Sequence, residues 1–195
     1  MREGLTLYVV RHGETDWNAA ARYQGQRDIP LNDRGRAQAR RNGEVLKAHL
    51  PDLRHYDFLC SPLGRTRETM EIMRRAMGLP PHDYVLDARV RELHYGHWEG
   101  QLAADLSRAD PKGVAERSLD PFHWRPTGGE SYSDLTVRTD EWLASIVRDA
   151  IVVTHGGVSR TLRGSVLDLE KASITRLDVP QDKVLELRKG FMRWI

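Results

Sequence analysis

Two histidines occupy the same place in two similar segments of the chain. Residues 9–13 are Val-Val-Arg-His-Gly and residues 152–156 are Val-Val-Thr-His-Gly, so His12 and His155 each follow an apolar run and precede a glycine, 143 positions apart. In parallel α/β sheets, ligands bind beyond the carboxyl ends of the strands, which makes both histidines candidates for one shared crevice. We expect the glycine after each imidazole to let the backbone turn sharply and approach a ligand closely.

The sequence also contains the other residue types that phosphoryl transfer requires. Such a site needs a nucleophile, cations for the equatorial oxygens and an acid for the leaving group. Arg11 precedes His12, and Arg65 begins a predicted helix shortly after the apolar run 56–60, where free N–H groups also favour anions. Glu92 precedes a glycine-containing loop and is a candidate acid, although spacing alone does not distinguish it from the other 27 of the 28 acidic residues.

The remaining histidines have a simpler interpretation. A histidine is more often a surface residue or a satisfied core residue than a catalyst. We apply this interpretation to six of them: His49, His55, His82, His94, His97 and His123. His94 and His97 lie three positions apart, but no His-Glu-x-x-His helix or cysteine cluster accompanies them. The sequence therefore predicts no metal site.

Short apolar runs predict the strands that would position this chemistry. Residues 5–10, 56–60 and 150–153 each end abruptly in polar residues, as is typical of strands buried in a parallel sheet. Two further β-like stretches, residues 173–179 and 183–188, flank a proline-containing turn. This arrangement predicts an antiparallel pair in the last part of the chain.

Periodic patterns between the strands predict helices. The clearest covers residues 66–77, where Thr and Met recur at helical spacing, and it is closed by Gly78. Further helices are predicted at residues 33–50, at residues 131–148 and from near Val158. Strands interleaved with helices imply a three-layer α/β domain.

Length and composition are those of one globular domain spanning residues 1–195. A chain of 195 residues can bury a core without disulfides or structural metal. Charged residues make up 30% and hydrophobic residues 39%, which excludes a disordered or low-complexity class. The lone Cys60 cannot form an internal disulfide and fits a reducing compartment. No signal segment and no long apolar run is visible, so we expect a cytoplasmic protein with no membrane partner.

Most of the 30 lysines and arginines are arginine. This residue suits bidentate phosphate contacts, although exposed arginine is the simpler explanation. No nucleic-acid-binding motif accompanies the arginine-rich stretches, so no nucleic-acid partner is expected. The sequence does not indicate an oligomeric state.

The segment Arg11-His12-Gly13-Glu14-Thr15 resembles the signature of the histidine phosphatase superfamily, the phosphoglycerate mutase-like proteins. Further matches keep the family's order along the chain, from residue 5 to residue 157. They are Asn18, Gln24-Gly25, Asp28-Ile29-Pro30-Leu31-Asn32, Gly35, Ser61-Pro62-Leu63-Gly64-Arg65-Thr66, Thr69, Glu92-Leu93, Gly96, Trp98-Glu99-Gly100, Gly128-Gly129-Glu130-Ser131 and Thr154-His155-Gly156-Gly157. An Arg-His-Gly triplet alone is weak evidence, but an ordered set of this extent makes coincidence improbable.

The resemblance implies a three-layer α/β/α sandwich around a mostly parallel, mixed sheet of about six strands. It also implies that His12 attacks phosphorus and that Glu92 donates and later accepts the proton. Arg11, Arg65 and His155 would hold the phosphoryl oxygens. The residues implied to line the substrate pocket are Gly13, Thr15, Asn18, Gln24, Gly25 and Gly156. The implied partner is a small phosphorylated substrate, and no cofactor or metal is implied.

The resemblance covers enzymes that return the phosphoryl group to a substrate and enzymes that give it to water. In the glycolytic mutase branch it implies a long insertion that helps to enclose a bisphosphate between the Glu and second His motifs. Here His155 follows Glu92 by only 63 positions. We therefore expect a phosphomonoester hydrolase that acts through a phosphohistidine, with a cofactor-dependent phosphoglycerate mutase as the alternative.

A second alternative is a non-catalytic module that binds a phosphorylated ligand. It is disfavoured, because the nucleophile, both arginines and the acid are all present. The physiological substrate is not predicted. Its selection is expected to depend on residues 19–23, 94–97 and 102–124, which carry mixed signals.

Overall fold

A six-stranded mixed sheet forms the centre of the protein in the computed structural model, which describes residues 2–195. Its strands are β1 (Leu7–Arg11), β2 (Asp57–Cys60), β3 (Val85–Leu86), β4 (Ala150–Thr154), β5 (Val184–Arg188) and β6 (Phe191–Trp194). Their order across the sheet is β3-β2-β4-β1-β5-β6. The first four strands in this order are parallel, whereas β5 and β6 join antiparallel. The three predicted apolar strands correspond to β1, β2 and β4.

Eight α-helices surround the sheet in the described part of the chain. They are α1 (Asp16–Ala19), α2 (Asp33–His49), α3 (Gly64–Met77), α4 (Leu106–Ala109), α5 (Pro111–Leu119), α6 (Tyr132–Ser145), α7 (Gly156–Leu167) and α8 (Lys171–Ile174). Helices α2 and α3 pack together, as do α6 and α7. All four predicted helices are present, with ends within a few residues of those expected.

Successive side chains of the central strands enter two different cores. Val9 of β1 belongs to a buried cluster with Leu135 of α6 and Leu162 of α7. Its neighbour Val10 belongs to a second cluster with Met70 of α3. Burial on both faces explains why these strands are uninterrupted apolar runs. The result is the three-layer α/β/α sandwich that the resemblance implies.

Short polar residues and a glycine set the helix ends, and the end at Gly78 is the one that the sequence predicts. Asn32 caps α2 by accepting a hydrogen bond from the Gly35 N–H at 2.9 Å. Ser131 caps α6 and accepts from the Asp134 N–H at 3.1 Å. Helix α3 ends at Gly78, whose φ of +81° lies in the left-handed region that glycine tolerates.

The predicted strand at residues 173–179 is wrong. This stretch contains the end of α8 and then turns, and β5 instead forms its hairpin with β6 through a turn that contains Gly190. The carbonyl groups after α8 serve a different purpose, because they accept hydrogen bonds from arginine side chains. Val179 accepts from Arg11 at 2.9 Å and Asp178 from Arg163 at 2.7 Å. These long-range bonds replace a strand ladder.

Cys60 ends β2 and is buried, as the sequence predicts. Burial raises the pKa of its thiol to about 12, so the thiol stays protonated and acts as a small apolar side chain. Within residues 2–195, no helix combines the length and apolar character needed to cross a bilayer.

Candidate active site

The two strand-end histidines lie side by side at the carboxyl edge of the sheet. Strands β1 and β4 are parallel neighbours in which Arg11 pairs with Thr154, so His12 and His155 leave the sheet at the same level. The backbone N–H of His12 donates to the Thr154 carbonyl at 2.9 Å. The centroids of the two imidazole rings are 5.2 Å apart. The repeated x-His-Gly pattern thus brings both histidines into one crevice, as expected.

His12 is a neutral imidazole with one nitrogen free. Its Nδ1 lies 2.8 Å from the Gly13 carbonyl oxygen, which can only accept, so the proton is on Nδ1. Burial, followed by the positive charges of Arg65 and Arg11, holds the pKa of His12 well below its ordinary value. Nε2 has no hydrogen-bond partner within residues 2–195. Its lone pair is therefore available to attack an electrophile at neutral pH.

His155 is also neutral, but both of its ring nitrogens have partners. Arg65 Nη2 donates to Nδ1 at 3.2 Å, so the proton is on Nε2, which donates to Ser61 Oγ at 2.7 Å. Burial, and then the charge of Arg65, lowers the pKa of His155 well below its ordinary value. In this arrangement His155 orients Arg65. Its predicted donation to a phosphoryl oxygen requires exchange of the bond to Ser61.

Arg65 supplies a fixed positive charge from the first turn of α3. Its side chain is buried and donates to the carbonyls of Arg27 and Gly25, at 2.7 Å each. The Gln24 amide, in the orientation that suits both of its neighbours, accepts from Arg65 Nε at 2.8 Å. Burial lowers the pKa of Arg65 to about 10, which leaves it charged at neutral pH. The nearest carboxylate, Asp28, is 4.0 Å away, and the close acceptors are neutral.

Arg11 brings a second positive charge to the same edge of the sheet. Its Nη1 donates to the Val179 carbonyl at 2.9 Å. Its Nε is buried and has no hydrogen-bond partner among residues 2–195. Burial lowers the pKa of Arg11, and the negative charge of Glu92 opposes this effect. Arg11 therefore retains a donor that no described protein group uses.

Glu92 is anchored at the start of α7. Its Oε1 accepts from the backbone N–H of Leu93 at 2.9 Å and of Gly157 at 3.0 Å. A Cβ on Gly157 would lie 2.5 Å from that oxygen, so only glycine permits the approach. Because α7 begins directly after His155, the carboxylate is held at the same strand end as the histidines.

Three predicted pocket residues form a hydrogen-bonded group beside the His12 loop. Thr15 Oγ1 caps α1 by accepting from the Asn18 N–H at 3.2 Å, and it also contacts the Gln24 amide at 2.6 Å. Asn18 Oδ1 accepts from Gln181 Nε2 at 3.2 Å, and the same nitrogen donates to the His12 carbonyl at 3.0 Å. Thr15 and Gln24 thus act on Arg65, whereas the Asn18 Nδ2 donor has no acceptor within residues 2–195.

Neither Gly13 nor Gly156 has a positive φ, so neither needs the left-handed conformation that glycine tolerates. A Cβ on Gly13 would lie 2.2 Å from the Gly35 carbonyl oxygen, so this glycine permits close packing against the start of α2. A Cβ on Gly156 would meet no atom closer than 3.6 Å. The third predicted glycine, Gly25, does have a left-handed φ of +56°.

Comparison with known protein families matches almost the whole chain. Residues 7–192 match the histidine phosphatase superfamily, branch 1. The chain belongs to this superfamily.

Similar proteins include phosphatases and a protein named as a mutase. Glucosyl-3-phosphoglycerate phosphatase from Mycolicibacterium vanbaalenii is 34% identical over 175 residues, covering 84% of this chain and 74% of the relative. A probable phosphoglycerate mutase from Citrobacter koseri is 35% identical over 178 residues, covering 89% of this chain and 80% of the relative. A solved structure of mycobacterial glucosyl-3-phosphoglycerate phosphatase in complex with VO3 has a TM-score of 0.82 at 30% identity, covering 98% of this chain and 97% of that chain.

Three further residues of this histidine phosphatase superfamily member support the site. None of them was assigned a role from the sequence. Ser61 accepts from His155, and Thr69 Oγ1 accepts from the Gly13 N–H at 3.1 Å while donating to the Arg65 carbonyl at 2.7 Å. Ser61 and Thr69 flank Arg65 at a spacing of four, which is a usable signal. Gln181 lies 169 positions from His12, and no local pattern indicates it.

The histidines outside the crevice have other partners. His94 Nδ1 accepts from the Gly96 N–H at 2.9 Å, and His97 pairs with Asp110 at 2.9 Å. Across residues 2–195, no group of three or more His, Cys, Asp or Glu side chains is placed to hold a metal ion.

Proposed function

We propose that the protein is a phosphomonoester hydrolase that forms a phosphohistidine on His12. The observation that carries this proposal is the state of His12, which is neutral, with Nδ1–H held by the Gly13 carbonyl and Nε2 free. A neutral imidazole beside two arginines has a nucleophilic nitrogen and the positive potential that an incoming phosphoryl group needs.

The reaction follows from these positions in two steps. His12 Nε2 attacks phosphorus, and the bond to the leaving oxygen breaks as Glu92, in its protonated form, gives that oxygen a proton. The Gly13 carbonyl stabilises the positive charge that develops on the imidazole through its bond to Nδ1–H. Glu92 then accepts a proton from water as water attacks the phosphohistidine, releasing phosphate and neutral His12.

The arginines supply the charge that a metal ion supplies in other phosphoryl-transfer sites. Arg65 is fixed by neutral acceptors, and Arg11 keeps a buried donor without a partner in the described chain. Both are therefore suited to offset the negative charge on the phosphoryl oxygens. His155 holds Arg65 in place, and donates to a phosphoryl oxygen when its bond to Ser61 is exchanged.

The substrate of this enzyme is a small phosphorylated metabolite. A relative and a solved structure with a similar fold bear the name glucosyl-3-phosphoglycerate phosphatase. A cavity of about 350 Å³ is lined partly by Tyr23, Leu106 and Arg117, which lie in segments expected to set selectivity, but none of the residues lining it belongs to the group around His12. We place the enzyme in the cytoplasm, where a buried free thiol such as Cys60 is stable, and we propose neither a nucleic-acid nor a membrane partner.

A mutase function is the second candidate, because one relative at 35% identity is named as a probable phosphoglycerate mutase. Between Glu92 and the start of β4 the chain forms only three α-helices, α4, α5 and α6. This leaves little chain to enclose a phosphorylated intermediate against water, which favours hydrolysis. Measuring phosphate release and 2-phosphoglycerate formation from 3-phosphoglycerate, with and without 2,3-bisphosphoglycerate, separates the two functions.

Trapping the covalent intermediate tests the proposed mechanism. After rapid quenching with ³²P-labelled substrate, label should be found on His12 as a phosphoramidate that is stable to base and labile to acid. His12→Ala should abolish both label and turnover. His155→Ala should slow labelling without moving it, because His155 acts through Arg65. Near wild-type turnover in His12→Ala, or label on His155, would show that the mechanism is wrong.

A further inference from the structure

Glu92 lies in a stretch of chain without regular secondary structure. Residues 91–95 form neither helix nor strand, and they connect two short 3₁₀ turns, Ala88–Val90 and Gly96–Trp98. Helix or ladder hydrogen bonds therefore do not hold the main chain at Glu92, although carbonyl groups removed from water need a donor. The position of this main chain must come from side chains of other elements.

Arg138 of α6 binds three carbonyl groups at and just before Glu92. Its Nη1 donates to the carbonyls of Arg89 and Arg91, at 2.7 Å each, and its Nη2 donates to the carbonyl of Glu92 at 3.0 Å. The Arg138 side chain is only 18% exposed. One guanidinium group thus fixes the backbone from three residues before Glu92 to Glu92 itself.

Glu130 holds Arg138 and also binds the chain on the other side of Glu92. Arg138 Nε donates to Glu130 Oε1 at 3.1 Å, and Arg138 Nη2 donates to Oε2 at 3.0 Å. Glu130 Oε2 accepts from the His94 N–H at 3.0 Å, and the Glu130 N–H donates to the His94 carbonyl at 2.8 Å. A Cβ on Gly129 would lie 2.4 Å from that carbonyl oxygen, so glycine before Glu130 permits the contact.

All five N–H donors of Arg138 are occupied by these contacts. A guanidinium group has five N–H groups, and three carbonyls and the Glu130 carboxylate accept one bond from each of them. The Glu130 carboxylate also offsets the charge of Arg138. Arg138 therefore differs from Arg11, which keeps a free buried donor, and it is not placed to bind a phosphoryl oxygen.

We propose that Arg138, held by Glu130, is a positioning residue that sets the place of the Glu92 carboxyl group for proton transfer to the leaving oxygen. The carboxylate is anchored to the start of α7 through Gly157, and α7 packs against α6, the helix that carries Arg138. Both ends of Glu92 therefore depend on one helix pair. A displacement of about 1 Å is enough to cost about 100-fold in rate. This inference rests on the proposed phosphatase function, with Glu92 as its acid.

Phenyl phosphate and p-nitrophenyl phosphate form a matched pair for measuring proton donation. They differ in one nitro group, which makes the p-nitrophenyl oxygen a weaker base that needs less protonation as it leaves. We define the leaving-group ratio as kcat/KM for phenyl phosphate divided by kcat/KM for p-nitrophenyl phosphate. Both values come from one preparation, so the ratio does not depend on the fraction of enzyme that is folded.

Arg138→Met should lower the leaving-group ratio by about 5-fold or more, in the direction expected for Glu92→Gln, because general acid catalysis contributes about 10² to 10⁴-fold. Arg138→Lys keeps the charge beside Glu130 but has fewer donors, in a different geometry. Its ratio should lie between those of wild type and Arg138→Met. A merely structural role would lower both kcat/KM values equally and leave the ratio unchanged.

Arg89→Met is the matched control. The Arg89 side chain also joins this segment to α6, because its Nη2 donates to Ser145 Oγ at 3.2 Å and pairs with Asp87 at 2.6 Å. The substitution leaves the Arg89 carbonyl in place for Arg138. The leaving-group ratio of Arg89→Met should stay within about 2-fold of wild type, as for a side chain that does not act on the acid.

Combining Arg138→Met with Glu92→Gln tests whether Arg138 acts through Glu92. In the Glu92→Gln background, Arg138→Met should change the ratio by less than about 2-fold, because no proton remains to be positioned. The inference is overturned if Arg138→Met leaves the ratio unchanged, if Arg89→Met lowers it equally, or if the effect of Arg138→Met persists without Glu92. An unchanged ratio in Glu92→Gln would overturn the acid role of Glu92 and this inference with it. Failure of the phosphatase function gives a different result, because wild type would then hydrolyse neither compound.

Discussion

Arg65 delivers its charge through a guanidinium group that binds several backbone carbonyls. Arg65→Lys keeps a positive charge but cannot bind the Gly25 and Arg27 carbonyls and His155 Nδ1 at once. We expect kcat/KM to fall by about 100-fold or more, comparable to the loss of one preorganised donor. The matched control is Arg67→Lys, an exposed position on the same helix. Near-normal kcat/KM in Arg65→Lys would place Arg65 outside the catalytic site.

Glu92→Gln tests proton transfer, because glutamine keeps the size of the side chain and a carbonyl oxygen for the Leu93 and Gly157 N–H groups. General acid catalysis contributes about 10² to 10⁴-fold. The loss should be large for alkyl phosphates and smaller for p-nitrophenyl phosphate, whose leaving oxyanion needs less protonation. Glu44→Gln, an exposed change on α2, provides the control. An equal loss on both substrates would indicate that Glu92 positions the substrate instead.

The residues of the site differ in how well the sequence indicates them. His12 and His155 could be paired from the sequence, because each follows an apolar strand and parallel strands end at one edge. Glu92 needed the family resemblance, since its partners are backbone N–H groups that no side-chain pattern reveals. The resemblance also assigned His155 to the phosphoryl oxygens. That its nitrogens bind Arg65 and Ser61 depends on side-chain packing between separate elements.

Gly13 and Gly156, the glycines that follow the two histidines, differ in how closely other atoms approach them. Substituting each glycine by alanine tests this difference. Gly13→Ala would place a methyl group 2.2 Å from the Gly35 carbonyl oxygen, so the His12 loop must separate from α2. Gly156→Ala falls at the first residue of α7, where the contacts are ordinary and alanine favours the helix. We expect Gly13→Ala to destabilise by about 2 kcal/mol or more, and Gly156→Ala to be neutral or slightly stabilising.

Thermal unfolding followed by circular dichroism measures both variants against wild type. Equal melting temperatures for the two would show that the loop after β1 can adjust, and that the close approach of Gly13 to Gly35 is not required.

Strands and helices were predicted correctly from the sequence where a local pattern of residues is enough to stabilise the element. Buried strands and capped helices, such as β1 and α2, follow from apolar runs and from a residue such as Asn32. The strand prediction for residues 173–179 is wrong because a β-like composition does not show which groups the backbone carbonyls of these residues bind. Arginines distant in the chain bind those carbonyls, and a local pattern cannot show a bond between Arg11 and Val179, which are 168 positions apart.

The whole molecule should lose stability as the pH falls below about 6.5. The pKa values of His12 and His155 are both lowered well below the ordinary value on folding. Between the folded and unfolded pKa values the unfolded chain therefore binds more protons, so stability is complete above the unfolded value and decreases as the pH falls. Each buried histidine contributes up to about 1.4 kcal/mol per pH unit in this window.

Urea unfolding at pH 7, 6 and 5 measures this dependence. His155→Asn should show a shallower decrease in the free energy of unfolding than wild type, whereas His97→Asn, a change at an exposed histidine, should keep the wild-type slope. A free energy of unfolding that does not change over this range would mean that the two imidazoles are protonated in the folded protein.

Turnover should survive treatment with EDTA. Positive charge in the site comes from Arg11 and Arg65, and the described residues offer no cluster of metal ligands. Phosphate release after incubation with EDTA and gel filtration, compared with an untreated sample, measures this. Complete loss that returns on addition of Mg²⁺ or Zn²⁺ would contradict it.

The position of β1 in the sheet has a consequence for protein synthesis. The strand that carries Arg11 and leads to His12 pairs on one side with β4 and on the other with β5, so Leu7 lies opposite both Ala150 and Leu187. At roughly 5–20 residues per second, the ribosome makes β5 on the order of ten seconds after β1. Until then the nascent chain holds an apolar strand without its neighbours. The edge of the sheet that carries His12 and His155 is therefore assembled late in translation. Until then β1 exposes apolar side chains, the kind of surface that chaperones bind.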